Sequence, residues 1–503
     1  MRVAHLASEM APLAKVGGLG DVVGALSAEQ VRRGHEVVVV LPAYRSVRIP
    51  EGWSREPQEP ADVPWGMAAE RAHFELARSP EGLEVLLVDH AGERRFFDRD
   101  GLYDPPGTGQ GWTDNPERFL FFSRAAMIAL ARLRPLDILH AHDQQAAWAP
   151  CFARTHDAHV PAFRRAATVF TIHNLGYQGI VDPWILGLAG FARDVFTPTG
   201  PFEFWGRVNF MKVGLAFADM ISTVSPRYAE EIQSGDEFGF GLEGVLRRRR
   251  ADLRGILNGL DERVWDPATD PLLPAHYDRD HLGGKDAVRD ALAAACGFPA
   301  EPDVPIVGMV SRLVEQKGFD LLEQAADELL RLPARFVVLG AGQPRFVEWL
   351  ERLSRAHPQR VLFRVGHDER FAHWIEGGAD LYLMPSRYEP CGLNQMYSMR
   401  YGTVPVVRAT GGLADTVEEF DPATGAGTGF RFDDYDAGEL LAALRRGLAV
   451  RRNTAAWRAL QRNGMARDFS WRASADGYDA LYAEARARVA GGAPTLESVR
   501  AAI

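Results

Sequence analysis

Residues 306–339 read IVGMVSRLVEQKGFDLLEQAADELLRLPARFVVL. Five apolar residues (306–310) lead into a short segment with Arg312 and Lys317. A stretch of helical periodicity follows over 318–332, and a second apolar run occupies 336–339. Short β-branched runs that are apolar on both faces suit strands covered by helices on either side. One strand, one helix and a second strand in that order form a βαβ unit, and so predict a parallel sheet.

The same alternation extends in both directions. Apolar runs at 361–365, 381–384 and 404–407, with a helical stretch at 438–450, continue the series. An earlier series lies at 3–7, 37–41, 85–88, 138–142, 168–172 and 221–224. Between them, residues 265–305 are rich in proline and aspartate and suit a linker plus one short helix at 285–295. The expectation is an α/β protein of two Rossmann-like, doubly wound parallel-sheet domains, 1–255 and 256–470. Residues 471–503 should be mostly helical, with a Gly-Gly-Ala-Pro break at 491–494. Residues 48–65, with four prolines, read as a surface loop.

At 503 residues the chain is too long for one ordinary domain. Lys+Arg 57 against Asp+Glu 67 leaves a net charge of −10, which argues against nucleic acid or an anionic membrane as partner. No apolar run reaches the roughly 18 residues of a membrane span. Cys151, Cys296 and Cys391 are too scattered for a disulfide framework or zinc knuckle, so a cytoplasmic location is expected.

In open parallel sheets ligands collect at the carboxyl ends of strands, and the chemistry-bearing residues fall there. Lys15-Val-Gly-Gly-Leu-Gly-Asp21 follows the first strand. Gly17 and Gly18 allow close backbone approach, and the next helix, 21–33, would present amide N–H groups to an anion. The other reading is a glycine turn with a solvated lysine. Arg312 and Lys317 suit a diphosphate, one as a fork and one as a compact charge, or are two exposed cations. Ser386-Arg-Tyr-Glu389-Pro-Cys391-Gly392-Leu393 places a carboxylate where it can accept from sugar or ribose hydroxyls. Thr410-Gly411-Gly412 offers backbone donors to phosphate.

His140-Ala-His142-Asp143 and Thr171-Ile-His173-Asn174 end two strands of the first half. The first has the look of a metal-ligand pair, but no third ligand is evident. Hydrogen bonding to substrate hydroxyls, or a core role for His140, are the other readings. Two Asp-Arg-Asp triplets, at 98–100 and 278–280, do not follow buried strands and are set aside. Arg247 to Arg250 reads as a solvated helix end, and Asp436-Ala-Gly-Glu439 as a capping box.

Taken together, eight segments in register resemble bacterial glycogen synthases and plant soluble starch synthases, retaining glucosyltransferases that use ADP-glucose. They are Lys15-Val-Gly-Gly-Leu-Gly-Asp21, His140-Ala-His-Asp143, Thr171-Ile-His-Asn174, Gly255-Ile-Leu-Asn-Gly259, Ser311-Arg-Leu, Gln316-Lys-Gly318, Glu389-Pro-Cys-Gly-Leu393 and Thr410-Gly-Gly-Leu-Ala-Asp-Thr416. The resemblance covers residues 1 to about 485. It implies a GT-B fold, two domains facing a deep interdomain cleft, with the last helices packing back on the first domain.

The resemblance also implies roles. Lys15, Gly17, Gly18, Arg312 and Lys317 would meet the donor diphosphate, and Glu389 would hold the donor sugar with Cys391, Gly392 and Leu393 around it. Thr410, Gly411 and Gly412 would add donor contacts. His173 would lie beside the anomeric carbon. Asp143, Asn174 and Asn258 would place sugar or acceptor, with Asp21 also in the pocket. Apart from the resemblance, aromatics such as Tyr177, Trp184, Trp205 and Tyr103 suit contact with a glucan chain, the other reading being that about half are core. Partners would be ADP-glucose and glycogen or another α-1,4-glucan, with no cofactor and no metal. Two positions depart from the family: Gln144 replaces a tryptophan, and His367 replaces a tyrosine that stacks on adenine, a contact a histidine can still make on the donor side; Tyr397 stands where the second glutamate of the related E-x7-E pattern would fall, an absence usual for this family. Alternatives are a same-fold transferase using UDP-glucose, a nucleotide-sugar epimerase, and a non-catalytic glucan-binding protein.

Overall fold

The computed structural model describes residues 1–106 and 109–490. The chain divides into two compact units. One comprises Met1–Ile256 together with the helix Trp471–Ala490, the other Leu257–Ser470. The Gly-Gly-Ala-Pro segment at 491–494 lies outside the described residues.

The first unit holds nine strands in one sheet: β1 (Arg2–Leu6), β2 (Glu36–Pro42), β3 (Ser54–Trp65), β4 (Ala68–Arg78), β5 (Glu84–His90), β6 (Ile138–His142), β7 (Ala167–Ile172), and, after three short strands, β11 (Met220–Thr223) and β12 (Leu253–Gly255). The short strands β8 (Ile180–Val181), β9 (Glu203–Phe204) and β10 (Arg207–Asn209) make a separate small sheet. Spatial order in the large sheet is β12-β11-β7-β6-β1-β2-β5-β4-β3. Seven strands are parallel; β4 and β3 add antiparallel at one edge. The chain leaves β1 toward β2, then returns to place β6 on the other side of β1. That reversal is a topological switch point, where two loops diverge and open a crevice.

The hairpin β3–β4 corrects the expected loop at 48–65. Pro57, Pro60 and Pro64 lie in β3, the outermost strand, where a missing N–H costs no ladder bond on the open side. The pairing register shifts between Gln58 and Ala61, around Pro60.

Apolar residues of β1, β6 and β7 pack under the helix Trp471–Ala490, whose Trp471, Ala475, Tyr478, Leu481, Tyr482 and Ala485 share a core with Val3, Val22, Leu26, Ile138 and Val169. The helix Trp471–Ala490 thus completes the core to which β1 contributes Val3.

In the second unit, β13 (Ile306–Val310), β14 (Arg335–Gly340), β15 (Val361–Val365), β16 (Leu381–Met384), β17 (Val404–Arg408) and β18 (Phe430–Phe432) form an all-parallel sheet ordered β15-β14-β13-β16-β17-β18. Its switch point falls between β13 and β16. The helical stretch expected at 318–332 forms as two pieces, Phe319–Gln324 and Ala326–Arg331. The 265–305 stretch holds one helix, Gly283–Ala295. Arg249 is not the solvated residue expected. It is buried and donates to the carbonyls of Leu215 and Ala218 at 2.5 and 2.8 Å while pairing with Asp252. Asp436 accepts from the amides of Gly438 and Glu439 at 2.8 and 3.2 Å, capping the helix Ala437–Arg451. No helix among the described residues is long and apolar enough to cross a membrane.

Candidate active site

In the second unit three loops converge at the carboxyl ends of β13, β16 and β17, which are neighbours in the sheet. The loop after β13 turns through Gly318, whose φ of +80° is in the left-handed region. A Cβ there would lie 2.1 Å from the carbonyl oxygen of Pro385, so only glycine lets the two loops close. The Arg387 amide donates to Gln316 O at 2.8 Å and continues the seam.

This closure places Lys317 Nζ 2.5 Å from Glu389 Oε2, to which Ser386 Oγ also donates at 3.1 Å. Glu389 is buried and the Lys317 side chain is 18% exposed. A carboxylate withdrawn from water needs such partners, since an unpaired buried charge costs several kcal/mol. The third loop joins in the same way: a Cβ at Gly411 would meet Glu389 O at 1.9 Å, and one at Gly412 would meet Cys391 O at 2.1 Å. The Gly412 N–H, expected to serve phosphate, is instead turned onto the carbonyls of Glu389 and Pro390, each at 3.2 Å.

Asn258 is buried beside Cys391 and hydrogen-bonds to its thiol, while its own Oδ1 has no partner among the described residues. Burial pushes the Cys391 thiol up to about 12, so it stays a neutral wall residue. Gly392 and Leu393 lead into the helix Asn394–Arg400, with Gln395 Nε2 holding the Cys391 and Gly392 carbonyls. Thr410 is buried just ahead of Gly411. Arg312 is exposed on the loop after β13. His367 is exposed beyond the end of β15, two strands outside β13, and so stands apart from the Lys317–Glu389 pair. Tyr397 is core: its ring stacks on Trp265 at 3.9 Å, and Trp265 stacks in turn on His373 at 4.0 Å.

In the first unit the corresponding crevice lies between the loops after β1 and β6. Lys15 pairs with Asp21 at 2.7 Å, both partly exposed. The helix begins earlier than expected, at Gly18, with Gly17 just ahead of it. A Cβ at Gly17 would meet nothing within 4 Å, whereas one at Gly24 would strike Ala11 O at 2.5 Å. Gly24 therefore lets the helix pack on the loop, and Gly17 borders open space. Glu9, not singled out by the sequence, holds this loop together. Its Oε2 accepts the amides of Val16 and Gly17 at 2.6 and 2.9 Å, and Oε1 accepts from the Tyr103 hydroxyl at 2.7 Å. Tyr103 is thus committed to Glu9 and Ser8 rather than offered as a glucan platform.

Asp143 directly follows β6 with φ +54°, a backbone state aspartate tolerates better than most residues. Its Oδ1 accepts the amides of His173 and Asn174 at 2.7 and 3.4 Å, and burial pushes its carboxyl up to about 7. Asn174 turns its own side chain onto the Gly176 amide, and Tyr177 is 53% exposed. His173 is buried and drawn down to about 3 by desolvation. Gln144 lies against Gly179.

The expectation of no third ligand near His140 and His142 is corrected. His5, on the neighbouring strand β1, brings a third imidazole, and the ligand-capable nitrogens lie within 4.8 Å of one another. All six ring nitrogens are nevertheless committed to hydrogen bonds with protein groups. His5 and Glu9 were missed because each works through a partner distant in sequence, His5 through Gln30 and His142 and Glu9 through Tyr103. A histidine inside an apolar strand, as at His5, was the one available signal.

Two Rossmann-like units, each with glycine-rich loops and polar side chains gathered at its switch point, are the architecture of the GT-B class. Residues 2–248 match the starch synthase catalytic domain, and residues 298–462 match the glycosyl transferases group 1. A glycogen synthase of Koribacter versatilis is 46% identical over 488 residues, covering 97% of this chain and 98% of that one. One from Anaeromyxobacter dehalogenans is 48% identical over 484 residues, covering 96% and 98%. The chain belongs to the glycogen synthase and starch synthase family. Among solved structures, the catalytic domain of starch synthase IV from Arabidopsis thaliana, bound to ADP and acarbose, superposes with a TM-score of 0.88 at 34% identity, covering 97% and 99%. Sucrose-phosphate synthase from Thermosynechococcus elongatus shares the fold, with a TM-score of 0.60 at 20% identity.

Proposed function

We propose that the chain transfers glucose from ADP-glucose to the non-reducing end of an α-1,4-glucan with retention of anomeric configuration. The observation that carries this reading is the buried Lys317–Glu389 pair at the switch point of the second unit, walled by Ser386, Cys391 and Gly411. Support for the donor comes from the 34%-identical starch synthase structure, described as bound to ADP and acarbose.

In this reading Glu389 accepts from donor-sugar hydroxyls while Lys317 and Arg312 face the diphosphate. As the bond to the leaving oxygen breaks, negative charge grows there and these cations stabilise it. Within the first unit, Lys15, with Gly17 and Gly18 behind it, is a phosphate contact in this reading, and Asp21 orients Lys15. His173 and Asp143 lie with the sugar, Asn174 supports their turn, Asn258 and Cys391 line the donor side, and Tyr177 meets the acceptor.

Neither buried carboxyl suits a nucleophile. Glu389 is held by a lysine and a serine, and Asp143 retains its proton up to about pH 7 with Oδ1 occupied by backbone amides. The mechanism is therefore front-face attack, the leaving phosphate taking the acceptor proton. Trapping of a covalent glucosyl–enzyme species would overturn it.

The deciding experiment is incorporation of labelled glucose into glycogen from ADP-glucose and from UDP-glucose, with and without EDTA. Incorporation from ADP-glucose that survives EDTA supports the reading. Incorporation from UDP-glucose alone replaces the donor, loss with EDTA introduces a metal, and no incorporation from either donor removes the reading.

A further inference from the structure

A hydrogen-bonded line crosses the interior of the first unit and stops at His173. It starts at Gln30, on the helix Gly18–Arg32, which uses both ends of its amide. Gln30 Oε1 lies 2.8 Å from His5 Nε2, and Gln30 Nε2 lies 3.0 Å from the Tyr482 hydroxyl. Along one arm, His5 Nδ1 is 2.9 Å from His142 Nε2, and His142 Nδ1 is 2.9 Å from His173 Nε2. Along the other, the Tyr482 hydroxyl is 2.8 Å from His140 Nδ1, His140 Nε2 is 2.6 Å from Thr171 Oγ1, and that oxygen is 2.6 Å from Ser222 Oγ. Gln30, His5, His140, His142, Thr171, Ser222 and Tyr482 are all fully buried, so the groups have only one another as partners.

Burial draws His5 down to about 4 and His173 to about 3, and holds His140 and His142 well below the ordinary imidazole value. Each ring is neutral near pH 7, with one donor and one acceptor nitrogen. The line therefore has a direction. With Gln30 Oε1 accepting, His5 carries its hydrogen on Nε2 and accepts at Nδ1. His142 must then donate from Nε2 and accept at Nδ1, and His173 must donate from Nε2. The other arm runs without conflict: Gln30 donates to Tyr482, Tyr482 to His140, His140 to Thr171, and Thr171 to Ser222. Turning the amide over reverses every bond in both arms together. The network thus has two orders, and one amide chooses between them.

We propose that Gln30 is a positioning residue that sets the tautomer of His173 through His5 and His142, leaving the His173 Nδ1 lone pair to accept a hydroxyl hydrogen from the sugar. No partner to Nδ1 is present among the described residues. The last step rests on the proposed function; the tautomer order does not. The same network accounts for the three clustered imidazoles without an ion.

The test is long-range 1H–15N correlation on the full chain labelled with 15N-histidine, together with steady-state kinetics using ADP-glucose. His5, His142 and His173 are expected as a single Nε2–H tautomer in the unmodified protein. Gln30→Met should leave His173 with mixed tautomers and lower kcat about tenfold with KM for the donor within about twofold. Gln30→Glu retains an acceptor toward His5 and should restore the single tautomer and most of kcat. His5→Phe cuts only the first arm and should reproduce Gln30→Met; it serves also if that variant does not fold. A single Nε2–H tautomer at His173 in both Gln30→Met and His5→Phe would overturn the proposal, as would a stoichiometric metal bound to the three imidazoles. If the tautomers respond as expected but ADP-glucose is not a substrate, the proposed function fails and the positioning by Gln30 stands.

Discussion

Lys317 and Glu389 show how one contact can serve charge and chemistry together. The pair sits 2.5 Å apart and largely out of water, so removing one partner strands the other. Lys317→Ala should lower turnover about a hundredfold, the loss of one transition-state contact, and should also destabilise the second unit by about 3 kcal/mol. The double variant Lys317→Met/Glu389→Gln should regain most of that stability and none of the turnover. Urea midpoints and initial rates on the three proteins check both, and near-normal turnover in Lys317→Ala would remove its role.

Asp143 gives a pH prediction with a definite sign. Burial pushes its carboxyl up to about 7 in the folded chain, from an ordinary aspartate value of 3.8. Its contribution to stability is full below about 3.8, declines as the unfolded form alone releases its proton, and is lost once pH passes about 7. Asp143→Asn keeps a residue that tolerates positive φ and removes the titration. The melting temperature of the unmodified protein should therefore fall relative to the variant between pH 5 and 8, by about 3 °C; parallel curves would refute this. The strand-end positions of Lys317, Glu389 and Asp143 were legible because parallel sheets gather polar residues there. Their partners were not: Glu9 meets Tyr103 across 94 residues and Gln30 meets Tyr482 across 452. Such pairings depend on topology that local patterning does not encode.

Among the elements, the loops matter more than the helices. Gly318 and Gly411 are where neighbouring loops touch backbone to backbone, and a methyl group has no room at either. Gly318→Ala should cost about 3 kcal/mol and most of the turnover, because it separates Lys317 from Glu389. Gly17→Ala is the opposite case: its φ of −145° suits alanine and its Cβ meets nothing. Stability should change by less than about 0.5 kcal/mol, while donor KM should rise about tenfold if the diphosphate approaches that backbone. Unchanged KM would remove Gly17 from the donor site. The parallel strands were readable because burial on both faces leaves an apolar run. β3 was not, because prolines and charges that a central strand would reject are admissible at an edge.

For the molecule as a whole, the course of the chain is the informative feature. Leu260 and Ser470 pair side by side, with the Leu260 amide donating to Phe469 O at 2.8 Å, so the second unit is entered and left at adjacent points. Ending the chain after Ser470 would remove Trp471, Tyr478 and Tyr482 from the core of the first unit. That truncation should abolish the first unit's calorimetric transition while a transition for Leu257–Ser470 persists; two retained transitions would show that the helix is dispensable.

The helix Trp471–Ala490 also bears on synthesis. Although most of the first unit is translated before the second, its core lacks a wall until Trp471–Ala490 leaves the ribosome. The second unit has all its strands some way before then. Order of emergence and order of completion are therefore reversed: the inserted unit can fold while the unit around it is still waiting, its apolar strand faces open to chaperones, for the helix Trp471–Ala490 to arrive.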